Sequence, residues 1–122
     1  MSDSIASELL QKWANTVKNG EPKQVANLYH ENGILLGTFS PKERVGHELI
    51  LEYFENLLQS PVEVQIVSEH PHVFESAAVN SGLYNFITEG KTIEARFSFV
   101  YSKKDDNGWK IISHHSSVLP EI

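Results

Sequence analysis

The fold class that the sequence predicts is α+β, with three N-terminal helices packed against a curved, mostly antiparallel sheet. Helical periodicity is confined to the first half of the 122 residues, and strand-like alternation fills the second half. The strand-like runs are joined by links of hairpin length, which serve antiparallel neighbours and cannot cross between parallel ones.

Ile5, Leu9, Trp13 and Val17 recur at spacings of four, with Ala6 and Leu10 beside them, which predicts an amphipathic helix from about Ser4 to Lys18, stopped by Asn19-Gly20. Glu21-Pro22 opens a shorter second helix on which Val25, Leu28 and Tyr29 share a face, ending at Asn32-Gly33. Ile34-Leu35-Leu36 reads as a brief strand, and a loop through Phe39, Ser40 and Pro41 follows. The third helix runs from about His47 to Gln59 on a stripe of Leu49, Ile50, Tyr53, Phe54, Leu57 and Leu58, with Pro61 just beyond.

Val62, Val64 and Ile66 alternate with polar residues in a first long strand that continues to Val73-Phe74, where Glu75-Ser76 turns the chain. Ala77–Thr88, Thr92–Ser102 and Trp109–Val118 supply three more strands. Glu89-Gly90-Lys91 links the first two, and a charged tip from Lys103 to Gly108 links the last two. No repeat or linker interrupts this order, so one domain over residues 1–122 is expected.

A chain of this length can sustain a core without staples, and its lack of cysteine removes a disulfide scaffold. No apolar run reaches the ~20 residues needed to cross a bilayer, and Met1–Ser4 has no secretory character, so a cytoplasmic location is the expectation. The net charge of −6 disfavours nucleic acid as a partner, and no membrane partner is expected. His70 and His72 could face one side of a strand, but no third ligand stands at useful spacing, so no metal is expected; no cofactor motif is present either.

The third long strand puts Ile93, Ala95, Phe97, Phe99 and Tyr101 on one face and Glu94, Arg96, Ser98 and Val100 on the other. A sheet covered by helices on one side needs one apolar face, so the Phe97-Phe99-Tyr101 stripe is expected to be an association surface for a homodimer or larger assembly.

Tyr53-Phe54-Glu55-Asn56-Leu57-Leu58, Pro71-His72-Val73, Ala77-Ala78, Arg96 and the segment Trp109–Pro120 carry a resemblance to a known family. The chain resembles the nuclear transport factor 2-like superfamily, and within it the association (hub) domain of calcium/calmodulin-dependent protein kinase II and its free-standing bacterial relatives. Ala95-Arg96-Phe97, Gly108-Trp109-Lys110 and His114-His115-Ser116-Ser117 look especially like the bacterial relatives. The resemblance implies a cone-shaped fold, self-assembly, and a deep pocket into which arginines project. Arg96 matches one of these, while Tyr84 and His115 stand near the positions of two others.

Alternation also groups Trp109, Ile111, Ser113, His115 and Ser117 on the last strand. If that set and the Glu94, Arg96, Ser98 set point inward, an arginine, a histidine and hydroxyls converge. Arg96 would be a fixed anion anchor, and His115 the group able to exchange protons near neutrality. Tyr84 and Tyr53 could add hydroxyls, although aromatic residues at such spacings also serve as core, and Arg96 could instead pair with Glu94. The expected site is therefore Arg96, Tyr84, His115, Glu94, Tyr53 and Ser98, binding a small polar or anionic molecule in a non-catalytic oligomerisation domain. The alternative is a small cofactor-independent isomerase, hydratase or cyclase, with His115 as its acid/base.

Overall fold

The computed structural model describes residues 4–103 and 108–122; most of the charged tip expected after Lys103 lies outside them. Helix α1 (Ser4–Asn19) turns Ala6, Leu10, Trp13, Ala14 and Val17 into the core. Gly20 ends it in the left-handed region (φ 78°) with its N–H on Val17 O at 3.0 Å, a conformation glycine adopts without the usual Cβ penalty. Helix α2 (Pro22–Ala26) is a single turn, shorter than its apolar spacing predicts. Tyr29 leaves the helix because its backbone joins β1 (Tyr29–Leu36), which pairs in parallel with the last strand, and Ile111 N–H donates to Leu28 O at 3.0 Å. Tertiary pairing here overrides local helical spacing.

The two-residue β2 (Arg44–Val45) borders β1, and α3 (His47–Leu57) follows, burying Ile50, Tyr53 and Phe54. Four long strands complete the chain: β3 (Val62–Val73), β4 (Ala77–Thr88), β5 (Lys91–Lys103) and β6 (Trp109–Val118). The single sheet has the order β2-β1-β6-β5-β4-β3 and is antiparallel except between β1 and β6. It is an α+β architecture, with α1 lying over β3 and β4, and α3 packing against α2 and β1. Among the described residues no helix is long and apolar enough to cross a membrane.

Two irregularities decide which side chains meet. Val67 is a bulge in β3, and next to it Gly82, which pairs with Glu69, has no room for a side chain, because a Cβ would overlap the Ser68 carbonyl. Ile112 is the extra residue of a second bulge, lying between Tyr101↔Ile111 and Val100↔Ser113. Ile111 and His114 therefore both point inward, and simple alternation fails along β6.

The Phe97, Phe99 and Tyr101 stripe expected to be an association surface is instead interior. Trp13 meets Phe99 edge-on, with ring centroids at 5.2 Å, and stacks with Tyr84 at 5.8 Å. Burying these rings removes a large apolar area from water, whereas burying the opposite face would strip water from Glu94 and Arg96. The helices accordingly cover the aromatic side, and the mainly polar side faces outward.

Candidate functional site at the open end of the sheet

The interior holds a continuous buried hydrogen-bond chain. Trp13 Nε1–H donates to Tyr29 Oη at 3.1 Å, and Tyr29 Oη lies 2.7 Å from His114 Nδ1. On the other side of the ring, His114 Nε2 is 3.1 Å from Tyr84 Oη, which donates to Ser116 Oγ at 2.6 Å. Ser116 Oγ in turn is 2.5 Å from Thr38 Oγ1.

Burial, and secondarily His115, pushes the His114 pKa down to about 3, so the imidazole is neutral and carries one N–H. Because the Tyr84 proton is committed to Ser116, its oxygen accepts from His114 Nε2–H. Nδ1 is then the acceptor for the Tyr29 hydroxyl, and the Ser116 proton is free to go to Thr38. The bonds run in one direction from the indole to Thr38, an order in which each bond polarises the next.

The main cavity, about 520 Å³, opens beside this core, lined by residues of the β1–β2 loop, α3 and the β4–β5 turn. Phe39, Tyr53, Leu57 and Ile93 form its apolar wall, and Lys42, Arg44, Lys91 and Glu89 supply charge. Tyr53 is held by packing against the backbone at Gly37, where a Cβ would fall on its ring, and its Oη accepts the Phe39 N–H at 3.3 Å. Burial raises the Tyr53 pKa to about 12. Arg44 is buried and paired with Glu52; it also donates to Leu49 O at 3.3 Å and, through Nη2, to Ser40 Oγ at 3.1 Å.

The residues expected to converge do not. Tyr84 is fully interior and Tyr53 lines the cavity, but Glu94, Arg96, Ser98 and His115 are exposed on the outer face of the sheet. In register, Leu83 opposes Arg96, Arg96 opposes Ser117, and Ser98 opposes His115. Arg96, Ser98, His115 and Ser117 thus line a separate shallow groove of about 240 Å³. Arg96 and Glu94 form no ion pair; among the described residues the one such pair is Arg44–Glu52. The bulge at Ile112 is the physical reason that His114 and Ser116, and not His115 and Ser117, reach the interior.

A family model for the calcium/calmodulin-dependent protein kinase II association domain matches residues 4–120. The chain belongs to this association-domain family. A candidate association domain of the same kind from Xanthomonas campestris is 36% identical, with a TM-score of 0.89, over 96% of this chain and 87% of that one. At the level of fold alone, a nuclear transport factor 2-like superfamily protein from Salmonella enterica is 17% identical, with a TM-score of 0.83, over 98% of this chain and 92% of the other. A candidate ketosteroid isomerase from Parabacteroides distasonis is 20% identical, with a TM-score of 0.77, over 96% and 87% of the two chains. No curated protein matches the chain. The association-domain family therefore comes with the nuclear transport factor 2-like fold expected from Tyr53–Leu58 and the C-terminal strands.

Proposed function

We propose that this chain is a non-catalytic self-associating module that holds a small polar or anionic molecule in the cavity beside Tyr53. The observation that carries the reading is the association-domain match over residues 4–120, joined to a cavity whose wall is apolar and whose rim is charged. Self-association does not rest on the Phe97-Phe99-Tyr101 stripe, because those rings are consumed by the core. The outer face of β4, β5 and β6 is the surface left for a second copy, with Leu83 half-exposed in its middle. Light scattering after gel filtration tests the reading: a molar mass at a multiple of 13.8 kDa supports it, and 13.8 kDa refutes it.

The outer groove of Arg96, Ser98 and His115 is a second place where an anion could bind. Arg96→Ala decides between the sites, since binding that persists in this variant belongs to the cavity. The candidate acid/base His115, with Arg96 to stabilise an enolate-like charge, stays with the alternative of a small cofactor-independent enzyme. That alternative is supported by likeness of fold alone, to a candidate ketosteroid isomerase and a candidate dehydratase. Turnover of a carbonyl substrate that is lost in His115→Ala would establish it.

A further inference from the structure

We infer that the cavity at Tyr53 takes an amphipathic monoanion, a flat apolar body carrying one anionic group, held by Lys42 and Lys91. This deepens the ligand-binding part of the proposed function and rests on it. The molecule carries a net charge of −6, yet this cavity gathers Lys42, Lys91 and Arg44 against Glu89 alone. Glu52 neutralises Arg44, while Glu89 accepts from Ser60 Oγ at 3.0 Å and keeps its own negative charge. Among the described residues Lys42 and Lys91 enter no ion pair, so the opening sets two ammonium groups against the single Glu89 carboxylate and keeps a net positive charge that one anion balances.

Positive potential inside a negatively charged molecule attracts an anion selectively, and the low-dielectric wall strengthens the attraction. The body of the ligand follows from that wall. Phe39 stands well exposed although it meets Phe86 edge-on at 5.1 Å, and with Tyr53 and Ile93 it offers aromatic and branched surface to a ring. A volume near 520 Å³ holds a bicyclic ring with space to spare.

The probe is naphthalene-2-carboxylate, compared with its neutral amide by titration calorimetry on the wild-type chain and on the Lys42→Gln/Lys91→Gln double variant. Both lysines are exposed, so the variant is expected to fold, and circular dichroism checks that it does. The inference predicts that the carboxylate binds at about 1 mM or tighter, the range usual for a ligand of this size. It also predicts that the amide binds at least ~10-fold more weakly, and that the double variant loses at least ~10-fold for the carboxylate alone. Binding should weaken as salt rises from 50 mM to 500 mM. Equal affinity for acid and amide, an unaffected double variant, or no binding at 10 mM probe each overturns it. The molar mass of the same samples separates the two failures: a multimer that ignores the probe sinks this inference and leaves self-association standing, whereas a monomer sinks self-association itself.

Discussion

The Tyr29 hydroxyl donates to His114 Nδ1 across 2.7 Å, fixing the neutral imidazole so that its other nitrogen donates to Tyr84. Around that ring stand Trp13, Phe99 and the two tyrosines, and among the described residues no charged side chain is bonded to it. Burial holds the folded-state pKa near 3, against 6.5 for an ordinary histidine. Between these values the unfolded chain binds the extra proton, so this contribution to stability is complete above pH 6.5 and is lost as pH falls towards 3. The slope approaches about 1.4 kcal/mol per pH unit inside that window. Urea unfolding of wild type and His114→Gln at one protein concentration should converge as pH drops from 7 to 4. Parallel curves would mean that His114 is not held neutral.

Tyr84 and Arg96 were expected to share a ligand, and their positions predict opposite sensitivities. Tyr84→Phe removes the acceptor for His114 Nε2–H and the donor to Ser116 in a buried site, for a cost of about 1–3 kcal/mol. Arg96→Ala, exposed in the single chain, should change stability by less than about 0.5 kcal/mol when the chain is measured dilute enough to be dissociated. Chemical denaturation of the two variants checks both values.

Gly82→Ala drives a Cβ into the Ser68 carbonyl at the β3 bulge, where backbone and not a mobile side chain must yield. A loss of at least about 1–3 kcal/mol is expected, the usual range for overpacking. Amide exchange should speed first at Ser68 and Leu83. Wild-type stability would show that the bulge relaxes freely.

Tyr101 supplies a test with the reverse sign. Its ring stacks on Phe99 at 5.7 Å, but among the described residues its buried hydroxyl has no partner. Tyr101→Phe keeps the packing and deletes the unpaired group, so its stability should equal wild type or exceed it by up to ~2 kcal/mol. A clear loss would reveal a hydrogen bond at that hydroxyl.

Periodicity revealed the first and third helices and the long strands, most plainly where one regular face is buried: Leu10, Trp13 and Val17 on α1, and Phe97, Phe99 and Tyr101 on β5. It could not settle which face of β5 is inside, since that depends on Trp13 and Tyr84 arriving from distant segments. Nor does Ile112 differ in kind from its neighbours, so nothing local announced the bulge that turns His114 inward and His115 outward. The cavity was missed for a similar reason. Lys42, Arg44 and Lys91 come from a loop, a two-residue strand and a strand end, where no alternation marks a side chain as facing a common space. A usable signal was Gly37, whose missing side chain makes room for Tyr53, but the pairing of those two residues needs the fold first.

Native mass spectrometry of the purified chain tests the central claim most directly, because one spectrum reports both the assembly and any molecule it retains. A self-associating association domain predicts masses at two or more times 13.8 kDa, with any adduct at stoichiometric occupancy. A bare 13.8 kDa monomer at every concentration up to about 100 µM, tighter than which a stable assembly should form, would contradict it.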